Sequence, residues 1–174
     1  MSDLYRSPYE AYPFLCDKPD DLRCDFEILT DRAASETGLL CSLVTDETLK
    51  AELLAVCELI YHCNPSLRTK VTVTREELVW LEACTKRLKE ETSGRCERFV
   101  LTQGSQAGCT AHLLRVRCKE LVRMLYRWRY AGHEVEPLLF DFINLLSGYF
   151  FVLAMKLNAL DGVDEIPYVS RNYF

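Results

Sequence analysis

The stretch GSQAGCTAHLLRVRCKELVRMLYRWR, residues 104–129, decides the fold class of this chain. Its apolar residues recur every three or four positions, which is the period of an α-helix with one buried face. They are Ala107, Ala111, Leu114, Cys118, Leu121, Leu125 and Trp128. A pattern of this length predicts a long helix packed against other helices, and therefore an all-α protein.

The rest of the chain predicts four more helices joined by short connections. The first begins at residue 22, and the second begins near residues 45–46 and stops at Asn64-Pro65, because proline disfavours helix at the residue before it. Thr74 and Glu77 have the spacing of a capping box, so the third helix spans residues 75–91. Pro137 suits the first turn of the fifth, which ends near residues 161–162. Short loops favour an antiparallel five-helix bundle, with residues 22–174 as a single domain.

Residues 1–21 are predicted to form an extended N-terminal arm outside this bundle. Pro8, Pro13 and Pro19 fix the backbone angle φ and remove hydrogen-bond donors, which disfavours helix here. Several aromatic residues are interspersed with the prolines, and we expect them to dock the arm onto the body or onto a neighbouring subunit. They are Tyr5, Tyr9, Tyr12 and Phe14.

Composition argues against several function classes. The net charge of −5 argues against a general affinity for nucleic acid or for an anionic membrane. The nine cysteines include no C-x-x-C pair, which favours free thiols over disulfides or a zinc site. Residues 1–6 lack the apolar run of a signal peptide, and the most apolar segment, residues 145–157, is interrupted before it reaches the length of a membrane span. We therefore expect a cytoplasmic protein.

The fourth predicted helix carries an unusual row of cations. Arg115, Lys119, Arg123 and Arg127 are each four residues apart, so they lie along one line on the helix surface. Like charges at this spacing destabilise an isolated helix by a few tenths of a kcal/mol per pair. In an acidic protein, this row predicts that something anionic faces it.

Two partners for the cation row remain open from spacing alone. One is a set of carboxylates on neighbouring helices or subunits, with Asp25, Asp31 and Glu36 as candidates. The other is a polyphosphate, because guanidinium groups match phosphate oxygens in geometry and charge.

Catalysis by a side-chain nucleophile has no support, since no base accompanies the serines or cysteines. Asn144 lies in an apolar stretch of the fifth helix, and a buried asparagine there would need a bonding partner.

Three stretches together resemble the ATP:cob(I)alamin (corrinoid) adenosyltransferases of the propanediol-utilisation type. They are FVLTQGS at 99–105, HLLR at 112–115 and FINLLSGYFF at 142–151. The resemblance covers roughly residues 21–174 and implies a five-helix bundle of the ferritin-like, cobalamin adenosyltransferase-like class. It also implies a homotrimer with the active site between subunits. The family's reaction transfers the adenosyl group of ATP, with Mg²⁺, to reduced cobalamin and releases triphosphate.

The resemblance also assigns roles to particular residues. Asp31 and Arg115 resemble an intersubunit salt bridge beside the nucleotide, and Phe99 resembles the aromatic residue that displaces the lower ligand of the corrin. Four further residues correspond to positions that bind nucleotide or corrin. They are Lys119 in place of a phosphate-binding arginine, Arg123 at a family arginine, Asn144 at a nucleotide-contacting asparagine, and Phe174, expected to cover the corrin. No residue is assigned as a metal ligand.

Some departures from the family affect the positions that contact phosphate. The family's N-terminal Thr-Gly-Asp-Lys-Gly segment, which wraps the triphosphate, has no counterpart, and Lys119 lacks the bidentate fork of arginine. The sequence thus indicates a divergent adenosyltransferase. The alternative is a non-catalytic relative that acts as a corrinoid-binding or protein-interaction module. If the N-terminal arm replaces the missing segment, Arg6 or Lys18 must reach the site.

Overall fold

The computed structural model describes residues 4–95, 97 and 99–172, and within them the chain forms five α-helices. The helices are α1 (Leu22–Leu43), α2 (Glu47–Cys63), α3 (Arg75–Glu91), α4 (Gln106–Tyr130) and α5 (Pro137–Leu160). The predicted all-α bundle is confirmed. After α2 the chain continues through one turn of 3-10 helix, Asn64–Leu67, because Pro65 fits the first turn of such a helix even though it ends the α-helix.

Local capping fixes where the helices begin. The Thr74 hydroxyl accepts a hydrogen bond from the amide of Glu77 at 3.2 Å, and the Glu77 carboxylate accepts one from the amide of Thr74 at 2.7 Å. The predicted capping box of α3 is therefore present. Asp21 caps α1 by accepting from the amide of Arg23, and Pro137 occupies the first turn of α5.

Helix α5 forms the centre of the bundle. It packs against α3 and α4, while α1 packs against α2 and α4. The predicted apolar stripe of α5 is entirely buried: Leu139, Phe142, Leu146, Phe150 and Leu153. Burial of each large apolar side chain contributes about 1.5–3 kcal/mol, so this stripe is a main source of stability.

Helix α5 differs from the sequence expectation that no segment would reach the length of a membrane span. Among the described residues it is the one helix long and apolar enough, by length and composition, to cross a membrane. Its most apolar 18-residue window is 56 % buried inside the bundle, however. Core helices of soluble proteins have the same composition, because a helix covered by neighbours on several sides needs little polar surface. Its apolar composition is weak evidence for a membrane span.

The described part of the N-terminal arm is folded into turns instead of running extended. Pro8, Pro13 and Pro19 each take the second position of a four-residue turn. The turns are closed by amide-to-carbonyl hydrogen bonds from residue 10 to 7, 15 to 12 and 21 to 18. Proline fixes φ at the value this position requires, and for this reason the same residues that exclude helix produce turns.

The arm docks on Arg68, which follows the 3-10 turn. The Arg68 guanidinium lies 3.6 Å from the centroid of the Phe14 ring and 2.9 Å from the Asp17 carboxylate. Arg68 also donates two hydrogen bonds, of 2.6 and 2.9 Å, to the buried carboxylate of Glu27 on α1. These contacts hold the end of the arm against the α1 side of the bundle.

Candidate functional site

A groove between α4 and α5 contains several of the residues singled out from the sequence. Its volume is about 350 Å³. Its walls come from α4, α5 and the loop that precedes α4. The lining residues are Arg115 and Lys119, Ser147, Gly148 and Phe151, and Phe99, Val100 and Thr102. We call this the α4–α5 groove.

Arg115 forms the floor of the α4–α5 groove. The residue is half-buried, and its Nε atom is inaccessible to solvent without a hydrogen-bond partner among the described residues. Its backbone is held in place, because the Ser147 hydroxyl donates to the carbonyl of Arg115 at 3.1 Å. Buried donors in native proteins are nearly always bonded, so Arg115 indicates a partner that a single chain does not supply.

No carboxylate of the described chain forms an ion pair with any member of the cation row Arg115, Lys119, Arg123 and Arg127. The acid candidate Glu36 pairs instead with Arg117, at 3.2 Å, and with Arg32, at 2.9 Å. Of the candidate carboxylates, Glu36 therefore pairs within its own chain with cations that do not belong to the row. The row is left facing either another subunit or a ligand.

Asp31 lies in a different cleft from Arg115. This cleft, of about 340 Å³, includes the apolar residues Tyr12, Leu15 and Ile28 among its lining. The Asp31 carboxylate accepts a hydrogen bond from the Tyr61 hydroxyl at 2.8 Å and forms no ion pair with any described residue. A single chain therefore does not bring Asp31 and Arg115 together.

Phe99 lies at the mouth of the groove on a short antiparallel ladder. The amide of Tyr168 donates to the carbonyl of Phe99 at 2.8 Å, and the amide of Leu101 donates to the carbonyl of Ile166 at 2.9 Å. Alternate residues of a ladder share a face, so these four side chains project together. They are unusually exposed for apolar residues: Phe99 82 %, Leu101 44 %, Ile166 49 % and Tyr168 48 %. We call these four side chains the apolar platform.

Two further predicted site residues, Asn144 and Arg123, do not line the groove. Asn144 is exposed, and its side-chain amide donates to the carbonyl of Phe140 at 2.9 Å, so the expectation of a buried asparagine is wrong. The face of α5 that carries it is not covered by another helix. Arg123 is exposed in a neighbouring depression that also contains Lys119. Phe174 lies outside the described residues.

His112 lies beneath the groove. Only 3 % of the residue is exposed, and neither ring nitrogen has a hydrogen-bond partner among the described residues. Its ring centroid is 6.3 Å from that of the groove residue Phe151. Burial, reinforced by the nearby charge of Arg115, lowers the pKa of His112 to about 4. The imidazole is therefore neutral at physiological pH.

Asn158 is a central polar residue that the sequence analysis did not identify. It is fully buried, and its side-chain oxygen accepts from the amide of Ser105 at 3.0 Å. Its amide nitrogen donates to the carbonyl of Gln103 at 3.2 Å and to the carboxylate of Glu165 at 3.4 Å. A Cβ atom at Gly104 or Gly108 would come within 2.1 Å of the Asn158 oxygen. The two glycines four residues apart were the available signal, since they provide the space for this side chain.

The described residues include no cluster of three His, Cys, Asp or Glu side chains that could hold a metal ion. The family resemblance implies Mg²⁺, which usually binds nucleotide phosphates and water with only one or two carboxylates, so such a cluster is not required for it.

A larger cleft, of about 870 Å³, lies at the opposite end of α4. It is lined by cations such as Lys70 and Arg129 and also by the carboxylates of Glu134, Glu136 and Asp141. None of the described residues that were predicted as site residues lines it, and its mixed charge does not favour a polyanion. The α4–α5 groove is therefore the better candidate site.

The chain is similar to known corrinoid adenosyltransferases. A family model described as cobalamin adenosyltransferase matches residues 18–157. A corrinoid adenosyltransferase of Bacillus subtilis (strain 168) is 25 % identical, over 86 % of this chain and 81 % of that protein.

Solved structures show the same fold. A phenylalanine-to-alanine variant of the PduO-type ATP:corrinoid adenosyltransferase from Lactobacillus reuteri, complexed with cobalamin and ATP, has a TM-score of 0.76 at 22 % identity. The match covers 86 % of this chain and 87 % of that one. An arginine-to-lysine variant, complexed with ATP, has a TM-score of 0.75 at 24 % identity and covers 86 % and 88 %.

Proposed function

The chain belongs to the cobalamin adenosyltransferase family, and on this premise we propose that it transfers the adenosyl group of ATP to the cobalt of a reduced corrinoid. In this reaction the bond between the 5′ carbon and the triphosphate oxygen breaks, and its electron pair leaves with triphosphate. The reduced cobalt supplies both electrons of the new cobalt–carbon bond. The substrate is its own nucleophile, which fits a groove without a nucleophilic side chain and its base.

The observation that carries this proposal is the presence in the α4–α5 groove of two cations without a carboxylate partner. Arg115 and Lys119 both line the groove, and neither is neutralised by a described carboxylate. A triphosphate leaving group gains negative charge as the carbon–oxygen bond breaks. Fixed cations that face this charge stabilise the transition state more than the ground state.

We assign the cations different roles. Arg115 is half-buried and has an unbonded Nε. Its guanidinium has several N–H donors, so it would pair with the Asp31 carboxylate of the next subunit and still direct a donor toward the nucleotide. Lys119 is exposed and would act as a mobile point charge, and Arg123 would extend the positive surface by one turn. An arginine-to-lysine variant of the Lactobacillus reuteri enzyme is complexed with ATP, so one member of the family binds ATP with such an exchange in its chain.

The apolar platform would receive the corrinoid. A contiguous group of exposed aromatic and aliphatic side chains indicates a surface that is covered by something else. Phe99 belongs both to this platform and to the groove wall, so a macrocycle resting on the platform would lie beside the anion-binding cations. This juxtaposition is what a transfer from nucleotide to cobalt requires.

The active unit would be a homotrimer in which Asp31 of one subunit pairs with Arg115 of the next. Both residues lack an ion pair within the described chain, and they lie in separate clefts. A contact between two different surfaces, repeated around a rotation axis, produces a closed ring. The separation of Asp31 and Arg115 in one chain is therefore compatible with their pairing in the assembly.

An anaerobic assay tests the proposed activity. The protein is mixed with ATP and chemically reduced cobalamin, and the light-sensitive cobalt–carbon bond is followed by its visible absorption. The Bacillus subtilis relative serves as a parallel positive control. Formation of adenosylated product is expected. Its absence, while the relative converts the same substrates, would overturn the proposal.

The position of Arg6 favours one alternative, a non-catalytic relative that binds a corrinoid or a protein partner. The Arg6 guanidinium contacts the carbonyl of Pro13, at 3.0 Å, and the sulfur of Cys16, both inside the arm. Neither Arg6 nor Lys18 lines the α4–α5 groove of its own chain. Separate titrations with ATP and with cob(II)alamin distinguish the two functions. Binding of cob(II)alamin without binding of ATP would support the alternative.

A further inference from the structure

We infer that Arg95, Asn158 and Glu165 are positioning residues that hold Phe99 and the apolar platform at the mouth of the groove. None of the three lines the groove. They act through the C-terminal segment, residues 163–168, and through the loop before α4. The inference rests on the proposed function for its catalytic meaning, although the anchoring itself can be measured without a ligand.

The backbone of Phe99 depends on the C-terminal segment. Val100 and Pro167 form an isolated antiparallel bridge, and two hydrogen bonds flank it, one from Tyr168 and one to Ile166. A ladder this short is marginal by itself, because two short strands alone bury too little surface in water. Something outside the ladder must therefore fix the C-terminal segment.

Arg95 provides the first anchor. Its guanidinium donates to the carbonyl of Val163 at 2.9 Å, to the carboxylate of Glu165 at 2.7 Å and to that of Asp164 at 3.3 Å. The Glu165 side chain is almost completely buried, so its charge depends on this pairing. Removal of the Arg95 charge would leave the Glu165 carboxylate without its cation and would release the segment that pairs with Phe99.

Asn158 provides the second anchor and joins the two ends of the Phe99 loop. Its side-chain oxygen accepts from the amide of Ser105, the N-cap of α4. Its side-chain nitrogen donates to the carbonyl of Gln103, in the loop before α4, and to the carboxylate of Glu165 in the C-terminal segment. The packing of Gly104 and Gly108 against Asn158 leaves its side chain no space to move. Phe99 is thus held from both directions by a network that a ligand in the groove would not touch.

Amide hydrogen exchange on the full chain tests the anchoring. In Arg95→Met, which keeps the length of the side chain without its charge, the amides of Leu101 and Tyr168 should exchange about tenfold faster, because the ladder opens locally. Amides in the middle of α2 and α3 should not change, which shows that the bundle remains folded. Arg129→Met, at the far end of α4, is the matched control and should behave as the unmutated protein.

Titration with cob(II)alamin tests the link to the site. Arg95→Met and Phe99→Ala should weaken binding by similar factors, and the double variant should bind no more weakly than Phe99→Ala, because both changes remove the same contribution. The affinity for ATP, measured by calorimetry, should be unchanged in Arg95→Met. If Arg95→Met does not fold, Glu165→Gln removes the same charge pair with almost no change of shape.

Two results would overturn the inference. One is unchanged exchange at Leu101 and Tyr168 in both anchor variants. The other is additive losses of cob(II)alamin affinity in the double variant. If the unmutated protein binds no cob(II)alamin, the proposed function fails, whereas the exchange data still decide whether Arg95 holds the Phe99 loop.

Discussion

Arg117 on α4 forms an ion pair with Glu36 on α1, with 3.2 Å between guanidinium nitrogen and carboxylate oxygen. Helix α4 therefore carries two kinds of cation, those paired with a carboxylate of the bundle and those without such a partner. Arg117 is two positions from Arg115 and is almost buried by its contact with α1. It contributes to the packing of α1 on α4. Arg115 and Lys119 project from another face of the same helix, and no described carboxylate pairs with either of them.

Lys119→Ala should weaken ATP binding by about 1–3 kcal/mol, as expected for the loss of one hydrogen bond to a charged group. Isothermal calorimetry measures this directly. Lys86→Ala, which removes an exposed lysine of α3, is the matched control and should leave the affinity unchanged. Equal affinities for all three proteins would contradict the role of Lys119, and failure of the unmutated protein to bind ATP would remove the assignment altogether.

In the proposed homotrimer, Asp31→Ala should shift the assembly toward monomer, because the Arg115 of the neighbouring subunit would lose its proposed partner. Sedimentation velocity over a range of protein concentrations measures the shift. Tyr61→Phe is the control, since it removes the hydrogen bond to Asp31 and keeps the carboxylate. A trimer that is equally stable in Asp31→Ala and in the unmutated protein would exclude the intersubunit salt bridge.

The free energy of unfolding should decrease as the pH falls from about 6.5 to about 4, in part because of His112. Burial lowers the pKa of His112 to about 4, so the unfolded chain binds its proton more readily than the folded one throughout this interval. The contribution reaches roughly 1.4 kcal/mol per pH unit. Urea denaturation at several pH values should show a smaller decrease for His112→Phe. His62→Gln, a change at an exposed histidine, should retain the full decrease, and identical profiles for all three proteins would refute the prediction.

Gly108→Ala should destabilise the fold by about 1–3 kcal/mol, the usual cost of forcing an extra carbon into a filled space. The added Cβ would lie 2.1 Å from the buried oxygen of Asn158. Gly38→Ala is the matched control, because Gly38 is also helical and has no atom within 4 Å of the added carbon. That change should stabilise α1 by roughly 1 kcal/mol. Two changes of the same sign in thermal denaturation would contradict the packing argument.

Helix positions were predictable because their signals are local. The hydroxyl of Thr74 and the carboxylate of Glu77 satisfy backbone amides within one turn, so the four residues 74–77 are enough to predict where α3 begins. The row containing Arg115 and Lys119 was predictable for the same reason, since spacing along one helix fixes it. The spacing could not predict whether a carboxylate pairs with this row. That outcome depends on the direction of the Glu36 side chain, which contacts Arg117.

The error over the buried asparagine shows the limit of periodicity. Asn144 and Asn158 are separated by 14 positions, close to four turns of helix, so they lie on nearly the same side of α5. Asn158 is buried because the loop before α4 and Glu165 contact it there. Nothing comparable covers Asn144. Burial of a helix residue by a loop leaves no periodic pattern in the sequence. The glycines at 104 and 108 were the one sequence feature that indicated the burial of Asn158.

The apolar character of α5 has a consequence for synthesis in the cell. A ribosome that translates this chain completes α1 to α4 before α5 emerges, so the surfaces that must cover α5 already exist when its apolar residues leave the exit tunnel. Domains generally fold from the N-terminal side during translation, and exposed apolar segments aggregate. The order of the helices therefore shortens the time during which the most apolar segment is uncovered. A circular permutant that begins with α5 should depend more strongly on chaperones than the natural order.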